Sequence, residues 1–370
     1  MHRFCRTPTT LIAAVALTVA LISVATPVSA AVPPVGTITL FTLPQSHPPG
    51  TITTGPDGAL WFTSGDSIGR ITTNGTFTDF TDPNILDAVA ITSGPDGALW
   101  FADVGTDAIG RITTTGTVTR YTDPDIRLPH SITTGPDGAL WFTNTLGNSI
   151  GRITTTGTIT IFHDPTIVSP VWIATGSDGA LWFTNFGNTT VHSSIGRITT
   201  SGVVTNFTDP TVTGPQGITA GSDGALWFID SAGLGSIGRV TTSGVISNFT
   251  DPKMSIAGPL RIAAGPDGAL WFTNEGSSNF GGNSIGRITT SGAITSYTDP
   301  GLDGPTDITA GPDGAMWFTD FANHSVGRIT VAATPHTKDD CKHDGWRSLT
   351  DTHANQFANQ GQCIAFVNHR

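Results

Sequence analysis

One eight-residue phrase, Gly-Pro/Ser-Asp-Gly-Ala-Leu/Met-Trp-Phe, occurs seven times in the chain, with tryptophans at Trp61, Trp100, Trp141, Trp182, Trp227, Trp271 and Trp317. Successive tryptophans lie 39, 41, 41, 45, 44 and 46 residues apart. Each is followed by an Ile/Val-Gly-Arg step, whose arginines are Arg70, Arg111, Arg152, Arg197, Arg239, Arg287 and Arg328. A third phrase, of the type Ile-Thr-x-Phe-Thr-Asp-Pro, also recurs seven times, but its first copy begins at Ile38, before the first tryptophan. Units of about 40 residues that hold several short strands cannot bury their apolar faces alone, and radial stacking is how they do so. The expected fold is all-β: a seven-bladed β-propeller of four-stranded blades.

Within a unit, strand A is the Ile-Thr step before the turn (residues 52–54 in the first copy). Strand B is Ala-Leu-Trp-Phe-Thr (59–63), strand C Ile-Gly-Arg-Ile-Thr (68–72) and strand D the Thr-Phe-Thr-Asp-Phe-Thr type (76–81). Threonine, isoleucine, valine, phenylalanine and tryptophan in alternation suit a pleated surface. Pro-Asp-Gly presets φ, caps the turn and tolerates positive φ, so A and B form a tight hairpin. The chain begins on a D strand and ends on a C strand, so residues 38–43 are expected to complete the last blade beside residues 326–331. That closure removes an exposed sheet edge.

The expected domains are a signal segment at 1–30, the propeller at 31–333 and a tail at 334–370. Arg3 and Arg6 precede an apolar run at 11–26, and Val28 and Ala30 supply the small residues of a cleavage site. That run is short for a bilayer span of about 20 residues, and no membrane span is expected. The exported chain keeps Cys341 and Cys363, an even pair that reads as a disulfide in the tail, with zinc and the tail histidines as the alternative. With a formal charge of −11 and only three lysines, a nucleic-acid partner is excluded. The chain is expected to be a secreted monomer.

Connections B–C and D–A share one face of the ring and turns A–B and C–D the other. The length variation falls on the first pair: 5, 7, 7, 11, 8, 12 and 7 residues separate the strand-B Phe from the strand-C Ile or Val. Variation on one face of a rigid scaffold places the site there, near the central channel. Two rings of positions face it. The inner ring is Gly50, Val89, His130, Val171, Gln216, Leu260 and Thr306; the other is Ser64, Asp103, Asn144, Asn185, Asp230, Asn274 and Asp320. Short oxygen side chains such as Asp103, Asp230 and Asp320 are candidate ligands for a hard cation such as Mg2+, the alternative being that they end strand B by bonding nearby backbone. His130, the one inner-ring imidazole, and Glu275, the one glutamate, are candidate acid–base groups. Trp172, Gln216, Arg261 and Asp307 are the candidate ligand-binding residues, with core packing as the alternative for Trp172. The seven repeat arginines and seven turn aspartates (Asp57, Asp96, Asp137, Asp178, Asp223, Asp267, Asp313) match one to one, which reads as a repeated structural ion pair.

These phrases resemble those of the virginiamycin B lyase family of seven-bladed propellers, over residues 38 to about 331. The resemblance implies linearisation of cyclic depsipeptide streptogramin B antibiotics by elimination, with Mg2+ assisting, and hence a small-molecule or cyclic-peptide ligand. It also implies a catalytic histidine in a Pro-His-Gly-Ile step opening the last blade, a glutamate two residues before it, and a second glutamate after that blade's Trp-Phe strand. Here the step reads Gly304-Pro305-Thr306-Asp307-Ile308. Thr306 stands at the histidine position and Gly304 at the first glutamate, and Asp320 is the counterpart of the second. Two functions follow as expectations: a carbon–oxygen lyase on this scaffold, or a non-catalytic extracellular binding propeller.

Overall fold

The computed structural model describes residues 34–44, 48–233, 235–251, 256, 258–276, 283–331, 341–342 and 358–368. The expected signal segment and most of the tail lie outside the described residues. Seven four-stranded antiparallel sheets are present. Blade one comprises β2 (Ile52–Thr54), β3 (Leu60–Ser64), β4 (Ser67–Ile71) and β5 (Phe77–Thr81). Blades two to six follow in the same order: β6–β9 (88–122), β10–β13 (129–163), β14–β17 (170–207), β18–β21 (215–249) and β22–β25 (259–297). Blade seven is β26 (Pro305–Ala310), β27 (Met316–Asp320) and β28 (Ser325–Ile329), completed by β1 (Ile38–Thr42). The closing register runs antiparallel from Ile38↔Ile329 to Thr42↔Ser325, so the two ends of the propeller segment zip together as the offset of the third phrase implies.

The apolar clusters straddle neighbouring blades. Trp61 and Ile68 of blade one pack with Ile91, Leu99 and Phe101 of blade two. At the closure, Trp317 and Val326 pack with Ile52, Leu60 and Phe62. All seven repeat tryptophans are fully buried. Each indole N–H donates to the turn aspartate four residues earlier, as Trp61 Nε1 does to Asp57 at 2.9 Å, and the repeat arginine clamps the other carboxylate oxygen, as Arg70 Nε does at 2.7 Å. The expected Arg–Asp pair is present in every blade. It fastens the A–B turn, strand B and strand C to one another, which is why the face carrying these turns is uniform.

Strand A is longer than the Ile-Thr step. In blades two to seven it has six residues, and in each of them a bulge interrupts pairing with strand B ahead of the Ile. Pro129, for example, pairs Asn144 and pairing resumes at Ile132↔Phe142. The extra residue re-aims the side chains there, so in blades two to seven the inner ring is built on bulged strand ends instead of loops, while Gly50 of blade one lies ahead of its strand. In the tail, the expected disulfide joins Cys341 and Cys363, the latter within α1 (Gln360–Asn368). Closing a loop of that length stabilises the tail by roughly 3 kcal/mol in the chain-entropy model.

Candidate functional site

The oxygen ring proves to be a set of latches. Asp103, Asn144, Asn185, Asp230, Asn274 and Asp320 are almost wholly buried at the end of strand B. Asp103 accepts from the backbone N–H of Leu86 and Asp87, Asn144 from Arg127, Asp230 from Thr213 and Gly214, and Asp320 from Asp303. Each of these donors lies on the D–A connector that enters the same blade. Asp103, Asp230 and Asp320 therefore spend their oxygens on backbone donors in three separate sheets, and among the described residues no three His, Cys, Asp or Glu side chains gather. Among the described residues these three aspartates do not converge on one cation position. Burial, with the Asp303 carboxylate adding to it, pushes the Asp320 carboxyl up to about 6.

A second repeated device comes from the threonine two residues after the repeat tryptophan. In blades three, six and seven its hydroxyl accepts the bulge N–H of its own blade and donates to the inner-ring carbonyl of the next. Thr143 accepts from Ser131 N at 3.0 Å and donates to Val171 O at 2.8 Å; Thr319 accepts from Asp307 N at 3.0 Å and donates to Gly50 O at 2.6 Å. The sequence signal was there, since threonine holds this position in five of seven copies, with Ala102 and Ile229 in the others. Its meaning depends on the bulge, which sequence spacing did not reveal.

Against this frame, four candidates from four blades come together. Trp172 of β14 presents one ring face to the Arg261 guanidinium of β22, 3.7 Å from the ring centroid. The His130 ring of β10 meets Trp172 edge-on at 5.5 Å, and its Nδ1 lies 3.2 Å from Val171 O. Nδ1 beside a carbonyl carries the proton, leaving Nε2 as the acceptor. Burial and the Arg261 cation hold the His130 imidazole down at about 4, so it is neutral at pH 7. Burial draws Arg261 down to about 10, partly offset by the Asp307 carboxylate, and it stays a cation. Asp307 of β26 accepts from Ile52 N of blade one at 2.8 Å, and its burial pushes its carboxyl up against the opposing pull of Arg261. Blade five contributes what it lacks: a Cβ on Gly217 would sit 3.1 Å from Arg261 Cα. Arg261 thus lies across Gly217 toward Trp172, a role that no sequence motif marked.

The remaining candidates stand apart from that group. Gln216 is partly exposed on β18 beside Gly217. Thr306 is partly exposed, and its hydroxyl donates to Gly304 O at 3.0 Å. Glu275 is exposed in the B–C loop of blade six, and its N–H donates to Gly258 O at 3.0 Å.

Comparison with known proteins accords with this architecture. The model of the virginiamycin B lyase family matches residues 22–193 and 186–337. The chain belongs to that family. Among solved structures, virginiamycin B lyase from Staphylococcus aureus is 37% identical, covering 80% of this chain and 99% of its own, with a TM-score of 0.71. A catalytically inactive histidine-to-alanine variant of that enzyme, solved with quinupristin, matches with the same values. A streptogramin B lyase is 35% identical, covering 80% of this chain and 97% of its own, with a TM-score of 0.70. No curated protein sequence matches the chain.

Proposed function

We propose that this member of the virginiamycin B lyase family is a secreted binding propeller that takes a cyclic peptide or comparable small molecule on its B–C/D–A face and does not open it. The observation that carries this reading is Thr306. Elimination needs a base to remove a proton from carbon while the ester carboxylate departs. The position opening blade seven offers a hydroxyl already committed to Gly304 O. His130 stands on blade three and is fixed against Val171 O and Trp172. The same face exposes Leu86, Leu146, Phe186 and Phe321, each about half exposed, in its connections, apolar surface that suits a peptide macrocycle. The Cys341–Cys363 disulfide supports an oxidising compartment.

Quinupristin is the probe. Calorimetry on the chain from residue 31 tests binding, with and without Mg2+. Reversed-phase separation with tandem mass spectrometry tests opening, because elimination gives a linear isomer of unchanged mass whereas hydrolysis adds water. Binding without a linear isomer is expected; a linear isomer formed in proportion to protein overturns the non-catalytic reading. The second reading, an active lyase, rests on 37% identity across the whole propeller. A Thr306→His variant that acquires turnover would identify the missing imidazole as what separates the two.

A further inference from the structure

The group formed by Trp172 and Arg261 holds more donor capacity than its neighbours use. Seven indole N–H groups, those of the repeat tryptophans, donate to turn aspartates. Among the described residues, the buried Trp172 Nε1 has no hydrogen-bond partner, and neither has Arg261 Nε. Of the guanidinium, Nη1 donates to Leu260 O at 3.0 Å, and Arg261 takes no part in the ion pairs among the described residues. Asp307, the nearest acid by its electrostatic effect, directs Oδ2 at the Ile52 N–H instead. Tryptophan and arginine supply donors and no acceptor, and a buried donor left without an acceptor costs about 1–3 kcal/mol, more when charged. Each of the two, like His130, is partly exposed at the inner end of its blade.

We infer that the inner end of blades four to six is a subsite for an acidic group, a carboxylate or similar oxyanion on the ligand, held by the Arg261 guanidinium and the Trp172 indole N–H with the His130 ring beside it. The inference rests on the reading of this face as a binding face and names its ligand class: an aromatic or cyclic molecule bearing an acid. Arg261 supplies the charge and the fork geometry that carboxylates match. Trp172 supplies a flat surface against which the rest of the ligand packs. Gly217 matters because a Cβ there would press on the Arg261 backbone at 3.1 Å and on its Cδ at 3.4 Å.

The test uses the mature chain in chloride-free buffer and three probes of one shape: benzoate, benzamide and benzamidine. Indole N–H resonances are followed by NMR, with Trp172 assigned through Trp172→Phe. Benzoate is expected to shift the Trp172 indole saturably and leave the seven aspartate-bonded indoles in place; benzamide and benzamidine should shift none. Arg261→Gln should weaken benzoate by at least about tenfold, as expected for losing a charge-assisted bond. Arg261→Lys, which keeps the charge, should retain part of the affinity, and unmoved repeat indoles report that either variant is folded. An equal response to benzamide overturns the acidic subsite while leaving the binding face intact. No response to any probe, in a protein that binds quinupristin by calorimetry, likewise overturns the subsite and spares the function.

Discussion

Asp267→Ala and Asp57→Ala remove the same three hydrogen bonds from two blades of one protein, and the structure makes their costs unequal. Asp267 accepts from Trp271 Nε1 at 3.1 Å, Arg287 Nε at 2.7 Å and Ala269 N at 3.2 Å. Asp57 accepts from Trp61 Nε1 at 2.9 Å, Arg70 Nε at 2.7 Å and Ala59 N at 3.3 Å. The difference is water. The Arg287 and Asp267 side chains are 10% and 1% exposed, against 23% and 21% for Arg70 and Asp57. Without Asp267 the guanidinium and the indole N–H stay buried and unpaired, which costs about 3–5 kcal/mol. Without Asp57 water reaches the freed Arg70 guanidinium and can occupy the place of the partly exposed carboxylate, so the loss is about 1–2 kcal/mol. With an unfolding entropy near 2.1 cal/mol/K per residue, 1 kcal/mol shifts the Tm of a propeller this size by about 1.5–2 °C. Scanning calorimetry should therefore show Asp267→Ala lower by roughly 5–10 °C and Asp57→Ala by roughly 2–4 °C. Equal drops would refute the argument that burial sets the strength of this repeated clamp.

Three further outcomes follow from the geometry. The Asp320 carboxyl, raised to about 6, favours the fold in its neutral form; its penalty grows as pH rises from the unfolded value near 4 to about 6 and is complete above that. Asp320→Asn, the residue type found at the equivalent positions Asn144, Asn185 and Asn274, should therefore stabilise the protein by about 1–2 kcal/mol at pH 7.5, and by little at pH 4, as read by urea denaturation at both pH values. Strand-C glycines lie flat under the strand-B phenylalanines: a Cβ on Gly151 would meet Phe142 Cζ at 2.0 Å. Gly151→Ala should cost about 3 kcal/mol or more through overpacking. In the turn, Gly138→Ala meets no atom within 4 Å and only its φ of +72° opposes the change, so about 1 kcal/mol is expected in the same denaturation assay.

The sequence by itself determined the number of blades, the order of strands, the closing strand and the Arg–Asp pair of each blade; that the repeat indole N–H joins that pair came from the structure. These are local consequences repeated seven times: hairpin chemistry at Pro-Asp-Gly, alternation along short strands, and one phrase offset against the other two. Repetition made them legible, because a residue that recurs in every blade can answer only to something that every blade shares. The disulfide was legible for a simpler reason, as the pairing of the two cysteines beyond the propeller.

The site was legible only as a list. His130, Trp172, Arg261 and Asp307 are single departures from the repeat, and nothing along the chain says which of them meet, since the blades bearing them bend toward a common axis only when the ring closes. The oxygen ring shows the converse, for its members are alike in sequence yet turn to the connectors of their own blades, away from one another. What tertiary structure decided was the bulge that turns the inner strand ends, the empty place at Gly217, and the resulting stack of Arg261 on Trp172. The last two depend on distances between segments about 40 to 90 residues apart in the chain, and such distances are set by packing around the ring, not by any local preference of the residues involved.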